Sequence, residues 1–470
     1  MSFSFNDKEQ VVVDAIRKAS DEVSLDSYLV GGYVRDRILN RPTQDLDVVV
    51  VGDGIFIAHR VAELLKVKPP AIFKRYGTAM LKYQGLDLEF VGARKESYSK
   101  DSRKPSVTPG TLADDQKRRD FSVNAMAYKL SGDDFGAFLD PFDGLKDIEN
   151  RIIRTPNDPD VTFSDDPLRM MRAVRFACQL DYDIDEATFG GIQRNIERIK
   201  IISQERITTE LNKIIMSPIP SVGWRLLLTT GLCEIIFPEF YNLKGVDYVD
   251  GRGHKDNYFH TIEVLDNVSK VSDNLWLRWA AVLHDIGKPR TKRFDKIAGW
   301  TFHGHDAVGA NMTAKIFRKL KLPLDDKMKY VQKLVRLHLR PISLTKDNIS
   351  DSAIRRLLFD AGEDIDDLMS LCEADITTKN ANKMRQFLSN YELVKKKMVE
   401  VEENDRIRNW QPPISGEEIM TTFGISPSRV VGDIKTAIRE AILDGELAND
   451  PTEAKKYMIE LGRKMGLATS

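Results

Sequence analysis

Cysteine is scarce in this chain of 470 residues. Its three copies, Cys178, Cys233 and Cys372, stand far apart in apolar, helical-looking contexts. They form no CxxC pair and no disulfide framework, which points to a reducing, cytoplasmic setting. Long apolar runs are also missing: no stretch approaches the ~18 residues that a membrane span needs. The N-terminal MSFSFNDKEQ has neither an apolar core nor an arginine-rich amphipathic stretch, so no targeting leader is expected. Nor is there an excess of either charge, with a net of −1. Any nucleic-acid partner must therefore be met by local basic patches.

What remains is a soluble globular composition, 42% hydrophobic and 30% charged. The length suggests roughly two to four domains. Strand and helix signals alternate up to about residue 140. VVVDAIRKAS reads as a helix, SYLVGG as a strand entering a turn, LDVVVVG as a buried strand and GIFIAHRVAELLK as a helix. AIFKRYGTAMLKYQGLDLEFVGAR then reads as two or three antiparallel strands. Beyond residue 140 strand signals fade and helical patterns dominate, as in SDDPLRMMRAVRFACQL and LRWAAVLHDIG. The expected fold class is α+β: a small mixed sheet with helices, then a long all-α body. Pro412-Pro413 is a candidate boundary for a C-terminal tail, and Trp410 beside it is taken for a core residue there.

In the first part, Asp45 and Asp47 stand two apart at the start of a strand, so both side chains share a face. Two such carboxylates repel unless a cation lies between them. Mg²⁺ suits, because it takes oxygen ligands and keeps positions open for phosphate oxygens. Glu89, in LDLEFVGAR, could close the cluster from a neighbouring strand. Gly31-Gly32 could let a phosphate approach the backbone, but the third glycine of a dinucleotide fingerprint is absent. KRRDFSVNAMAYKL supplies cations suited to a triphosphate. Its Asp120 and Asn124, four apart, are expected on one helix face, where they could bind sugar hydroxyls.

LVGGYVRDRILNRPTQDLDVVV, RRDFSVNAMA, DPFDGLKDIENRIIRT, FSDDPLRMMRAVRFACQL and ISQERITTELNKII follow one another in this order. The series resembles the motifs of the class II tRNA nucleotidyltransferase (CCA-adding enzyme) and bacterial poly(A) polymerase family, a branch of the polymerase-β-like superfamily. The resemblance extends to the tail PPISGEEIMTTFGISPSRVVGDIKTAIREAILDGEL. It implies a nucleotidyltransferase head at 1–140, a helical neck at 141–217, a helical body at 218–395 and a tRNA-binding tail at 396–470, the all-α part being elongated. It also implies catalytic roles for Asp45, Asp47 and Glu89, with Mg²⁺ on the two aspartates. Gly31, Gly32, Arg35, Arg118, Arg119, Asp120 and Asn124 would bind the nucleotide.

Asp166 and Arg169 stand three apart at a helix start and can face one way. A carboxylate accepts from an exocyclic amine, and a guanidinium donates to a ring nitrogen. Cytosine and adenine offer that pair of groups; uracil and guanine offer the reverse. The family's template has the form Glu-Asp-x-x-Arg; here Asp165 replaces the Glu. Arg172 and Arg175 extend the basic face, and Glu205, Arg206 and Glu210 could brace it. CC-adding relatives have a shortened segment before the RRD motif. Here ARKESYSKDSRKPSVTPGTLADDQ reads as a full-length surface loop, rich in cations (Arg94, Lys95, Lys100, Arg103, Lys104), which favours addition of all three nucleotides.

Of the seven histidines only His59 lies outside residues 254–338. HTIEVL, LHDIGKP, HGHDAVGA, RLHLRP and CEADI together resemble the HD phosphohydrolase superfamily. The resemblance implies His260, His284, Asp285 and Asp375 as ligands of Mg²⁺ or a divalent transition metal, His305 and His338 at a second metal position, and Lys288 near a phosphate. The leading expectation is an enzyme that adds C, C and A to tRNA from CTP and ATP, as a monomer or homodimer. The alternatives are a poly(A) polymerase, an HD phosphohydrolase with an RNA-binding head, and a non-enzymatic RNA chaperone. Clustered acids argue against the last, since they would repel RNA phosphates.

Overall fold

The computed structural model describes residues 3–469 apart from 74–76, 100–101, 345–349, 379, 406–409 and 411. The chain divides into two compact units, Met1–Pro238 and Glu239–Ser470.

The first unit is built on a mixed sheet. Its strands are β1 (Ser27–Val30), β2 (Asp45–Val50), β3 (Ala71–Phe73), β4 (Thr78–Tyr83), β5 (Leu86–Gly92), β8 (Ala127–Lys129) and β9 (Phe138–Leu139). They lie in the order β3-β4-β5-β2-β1-β8-β9. All neighbours are antiparallel except β2 and β5. That parallel pair needs a crossover, supplied by helix α3 (Gly54–Leu65), which packs on the sheet beside α1 (Asp7–Asp21). The valine run of β2 is explained by burial on both faces: Leu46, Val48 and Val50 on one, Val49 on the other.

Register decides what the opposite face carries. Directly paired residues share a face, so β1 to β4 align Val30, Asp47, Glu89 and Met80 in one row. The next row holds Tyr28, Val49, Val91, Thr78 and Phe73. On the same face, the row on the other side of Asp47 holds Asp45, Asp87 and Lys82.

Two expectations are corrected here. Residues 93–116 are not a plain loop: β6 (Arg94–Ser99) and β7 (Ser102–Pro109) form an antiparallel hairpin, followed by helix α4 (Leu112–Lys117). Lys100 and the side chains of Arg103 and Lys104 lie outside the described residues. Asp120 and Asn124 also do not share a helix. The α4 helix ends at Lys117, Phe121 is extended, and Ser122–Asn124 is a single 3₁₀ turn. Glycine explains the tight turn: a Cβ on Gly144 would stand 2.5 Å from the Ser122 carbonyl, so the following helix α5 (Gly144–Asn150) sits directly on it.

Helices α6 (Pro159–Asp165), α7 (Leu168–Leu180), α8 (Glu186–Asn195) and α9 (Gln204–Ile215) follow in the first unit, with α7 against α9, and helices Pro220–Thr229 and Leu232–Ile236 come after them. The second unit is helical apart from two small antiparallel pairs at 248–253 and 293–301. Its centre is the helix set Asn257–Ser269, Leu275–Leu283, His305–Lys319, Asp326–Leu337 and Ile365–Ala374, around fully buried Trp279, Phe317, Leu334 and Leu368. Trp410 is buried, edge-on to Phe359, and donates to Asn449 Oδ1. No helix among the described residues is long and apolar enough to cross a membrane.

Candidate active site and metal centre

A cavity of about 740 Å³ opens over the carboxylate rows. Of the residues singled out in the sequence, Gly31, Gly32, Arg35, Asp45, Asp47, Glu89, Arg119, Asp120, Asn124, Arg172 and Arg175 line it. A second cavity of about 510 Å³ adjoins it and shares Asp47, Met80, Glu89 and Arg119. Arg118 lines only this second one. Asp166 and Arg169 line neither.

Each side chain is set by its element. α4 starts with a capping box, in which Thr111 accepts from Asp114 N and Asp114 from Thr111 N. That fixes the helix so that Asp115, fully buried, sits one turn before the two arginines. Its carboxylate accepts from Arg119 Nε and Nη2 at 3.1 and 2.9 Å, and also from Arg118 Nη2. Burial works against its charge, but Arg119 and Arg118 outweigh burial and hold the carboxyl below the ordinary range.

Asp120 is the hub of a second network. Its carboxylate accepts from Arg172 Nε at 2.7 Å and from Asn124 Nδ2 at 3.1 Å, while Asn124 Oδ1 accepts from Arg35 Nη1 at 2.7 Å. Burial opposes ionisation; Arg172, the Asn124 hydrogen bond and Arg169 overcome it and hold Asp120 far below its usual value. The Phe176 ring lies 5.0 Å from the Arg35 guanidinium, 5.3 Å from that of Arg172 and 4.1 Å from that of Arg175. Arg175 also donates to Glu210 at 3.2 Å, and Arg206 reaches Asp166 at 3.5 Å, so α9 braces α7. Burial, with Arg172 nearby, pushes Arg175 down to about 10.

Arg169 is buried and engaged with backbone: Nη2 donates to the Arg118 carbonyl at 2.6 Å and Nη1 to that of Thr162 at 3.4 Å. Asp166 Oδ1 accepts from Leu168 N. Sequence reasoning missed Asp115 and Phe176. Both left a signal: Asp115 stands three and four residues before the arginines, and Phe176 four after Arg172, the spacings of helical neighbours. Asp87, Gln179 and Lys213, which also line the cavity, left none.

Gly31 is also constrained by the site's own side chains. Its φ is +72°, and an added Cβ would lie 3.0 Å from both Asp47 Oδ2 and Arg119 Nη1. The absent side chain thus leaves room for the site's own acid and cation. Gly32 is at ordinary distance, 3.6 Å from Arg35 Nη2. Asp47 is partly buried. Burial, opposed by Arg119 and reinforced by Glu89 and Asp45, pushes it up to about 6. An acid destabilised as an anion among other acids is what a divalent cation relieves, so the row fits one.

In the second unit, His284, His305 and His338 each point Nδ1 at the carbonyl three residues back, Ala281, Phe302 and Val335, at 2.7, 2.8 and 2.6 Å. Since a carbonyl only accepts, Nδ1 carries the hydrogen. Their buried Nε2 atoms have no hydrogen-bond partner. Lone pairs orphaned in this way fit a metal. Two groups, His260–His284–Asp285 and Asp285–His305–His338, each place their ligand atoms within 4.8 Å of one another. Asp375 Oδ1 is 2.8 Å from His260 Nε2 and 3.6 Å from His284 Nε2. Lys288 Nζ rests 2.6 Å from Asp285 Oδ2. Burial disfavours charge on His284, but Asp285 and Asp375 outweigh it and raise it to about 10 without a metal; a divalent cation on Nε2 would supply that positive charge in the proton's place. Burial and the His284 charge lower His338 to about 4. A Cβ on Gly287 would meet the His305 carbonyl at 2.2 Å, so only glycine lets the two halves of the cluster close.

A mixed sheet carrying an Asp-x-Asp strand under a cation-lined cavity in the first unit, and a histidine–aspartate cluster in the second, are the marks of a nucleotidyltransferase with an HD domain. Comparisons with known proteins agree. The chain matches the Poly A polymerase head domain over residues 27–154, the probable RNA and SrmB-binding site of polymerase A over 181–243, and the HD domain over 257–379. It is 32% identical over 361 residues to the A-adding tRNA nucleotidyltransferase of Deinococcus radiodurans, covering 74% of this chain and 79% of that one. It is 26% identical over 469 residues to the CCA-adding enzyme of Ligilactobacillus salivarius, covering 97% and 95%. In fold it is similar to the Bacillus stearothermophilus CCA-adding enzyme solved with CTP, with a TM-score of 0.67, 23% identity and coverage of 98% and 99%. The chain belongs to the family of tRNA nucleotidyltransferases and bacterial poly(A) polymerases.

Three outcomes are expected. Gly31→Ala should lower turnover far more than Gly32→Ala, because only the first strains the backbone and displaces Asp47 and Arg119; equal losses in steady-state assays would contradict this. Protons compete with metal for Asp47, so Mg²⁺ affinity measured by calorimetry should weaken as pH falls through about 6 and stay level above it. His284→Ala should strip divalent metal from the second unit, read by elemental analysis, whereas Asp45→Ala should leave that metal in place.

Proposed function

We propose that this chain adds C, C and A in turn to the 3′ end of tRNA from CTP and ATP, without a nucleic-acid template and with release of pyrophosphate. The observation that carries this reading is the convergence of the Asp45, Asp47 and Glu89 carboxylates with Arg35, Arg119, Arg172 and the Asp120–Asn124 pair on one cavity. Mg²⁺ held by Asp45 and Asp47 would lower the pKa of the attacking hydroxyl and neutralise charge on the leaving pyrophosphate. The chain's own cations, Arg35, Arg119, Arg172 and Arg175, suit the triphosphate, and Asp120 with Asn124 suits the ribose hydroxyls. In the transfer the RNA 3′ oxygen bonds to the α-phosphorus, the α–β bridging P–O bond breaks, and the hydroxyl proton leaves by way of the carboxylate row.

Base choice is assigned to Asp166 and Arg169. Arg169 spends two of its five N–H groups on the Thr162 and Arg118 carbonyls, the latter at 2.6 Å, and its other donors would serve a base nitrogen. This links base recognition to the backbone of the RRD segment. The division into head (1–140), neck (141–217), HD-containing body (218–395) and tRNA-gripping tail (396–470) is kept as part of the proposal, as are cytoplasmic location and a secondary phosphoester hydrolysis. The residues for that hydrolysis are His260, His284, Asp285 and Asp375 around a transition metal or Mg²⁺, with His305 and His338 beside them.

Two relatives favour a second reading, in which only the terminal A is added: the Deinococcus radiodurans and Aquifex aeolicus proteins named A-adding tRNA nucleotidyltransferase, at 32% identity and at 39% over 191 residues. The long segment 93–116 does not separate the two, since both end in A addition. Purified protein with Mg²⁺ should extend a tRNA lacking all three nucleotides by C, C and A and then stop. Extension of only those tRNAs that already end in CC would establish the second reading, and a long run of A would establish a poly(A) polymerase. Asp166→Ala should blur C and A selectivity more than it weakens triphosphate binding; unchanged selectivity would remove Asp166 from base choice.

A further inference from the structure

His284, His305 and His338 arrive with their tautomer fixed, because a backbone carbonyl takes the hydrogen of each Nδ1. His260 is the exception in the cluster. Its Nδ1 faces Thr377 Oγ1 at 3.0 Å and the Lys255 ammonium at 2.9 Å. The same ammonium donates to Thr377 Oγ1. We propose that Lys255 and a divalent cation compete for His260, so that binding of the cation releases the Lys255 ammonium into the adjoining cavity, where a substrate phosphate can use it. The inference rests on the metal-centre and phosphoester-hydrolysis reading above.

Donors and acceptors decide the first half. A lysine ammonium has three donors and no acceptor. With that group 2.9 Å away, Nδ1 must offer its lone pair, so the hydrogen of the neutral ring is on Nε2. Nε2 lies 2.8 Å from Asp375 Oδ1 and donates to it. The pattern agrees with the rest of the cluster: the Nε2 atoms of His284, His305 and His338 are buried without a partner, and that of His260 is not among them. Lys255 thus holds His260 in the tautomer that keeps Nε2 from a cation.

A cation at His260, His284 and Asp285 needs the Nε2 lone pair. The Nε2 hydrogen then passes to solvent and another is taken up at Nδ1, so the ring stays neutral and the ammonium stays charged. Nδ1–H, 3.0 Å from Thr377 Oγ1, donates to that hydroxyl. It and the ammonium are now two donors face to face, and the freer side chain moves. Lys255 is free to do so. The residue is exposed, and its partners are a hydroxyl and a ring nitrogen rather than a carboxylate. Lys288, by contrast, is paired with Asp285 at 2.6 Å.

The space it enters is a cavity of about 650 Å³, within the ~300–1,000 Å³ of small-ligand sites. His260 and Asp375 both line it, so it opens on the metal centre. Besides Asp375, the acids in its lining are Asp256 and Glu263. Asp256 is committed to the start of the helix Asn257–Ser269, where it accepts from Tyr258 N and Phe259 N at 2.9 and 3.3 Å. Glu263 is left to hold the freed ammonium until an anion arrives. The order of events is then fixed: the lysine is withheld from phosphates until the cation is in place.

The test uses the full-length protein, stripped with a chelator and then given Mn²⁺, Ni²⁺ or Zn²⁺, ions that imidazole and carboxylate ligands suit. Acylation of Lys255 by acetic anhydride, followed by peptide mass spectrometry, should rise several-fold when the ion binds. Inorganic phosphate should then lower it again. In an Asp45→Ala background, which weakens binding at the sheet, Lys255→Met should bind the ion about tenfold more tightly, the worth of one hydrogen bond from a charged donor. The labelling uses wild-type protein and does not depend on how the variants fold; it also separates release of the lysine from a mere loss of positive charge. Labelling that stays level or falls as the ion binds, a rise that phosphate leaves in place, or an unchanged or weaker affinity in the Met variant would each overturn the inference. Protein whose second unit takes up none of the three ions would instead sink the metal-centre reading itself.

Discussion

A carboxylate that stays charged in the protein interior organises the first unit. Asp120 belongs to the sheet-bearing segment, yet its strongest partner, Arg172, comes from α7. Removing a charge from water costs several kcal/mol unless a partner and hydrogen bonds compensate. Arg172 and Asn124 do so here, and Asn124 in turn orients Arg35. The result is a chain of side chains from α2 (Gly32–Ile38) through the 3₁₀ turn to α7. Every cation that suits a phosphate in the larger cavity is anchored to this chain, to Asp115 or to Phe176, with the exception of Lys213.

This anchoring bears on catalysis. An arginine held by a buried acid keeps its direction before any ligand arrives, so less ordering remains to be done on binding. Asp115 does this for Arg118 and Arg119, and Asp120 for Arg172. The Phe176 ring is within 5.3 Å of three guanidinium groups. The two-cavity arrangement depends on Arg119 in particular, since it is the one cation lining both.

The legible parts of the sequence were those with a strict period or a specific pattern. Period-two alternation placed Asp45 and Asp47 on one face, and the ordered His and Asp motifs of the second unit converge as their pattern implied. Four-residue spacing misled at Asp120 and Asn124: the two do meet, but through an extended Phe121 and a tight turn seated on Gly144. A local turn and a helix can bring the same pair together, and spacing does not separate them. The pairing of Asp47 with Glu89 depends on the parallel register of β2 and β5, which a crossover of many residues sets and no local pattern encodes. Arg169 is assigned to a base, and its guanidinium also satisfies two backbone carbonyls, a role that side-chain chemistry alone does not reveal.

The Asp120–Arg172 pair also constrains the order in which the molecule can be made. During synthesis the sheet is complete once β9 has emerged, at Leu139, while Arg172 is still to come. Until then Asp120 lacks the cation that compensates its burial in the complete unit. The arrival of α7 supplies it and closes the nucleotide site in the same event.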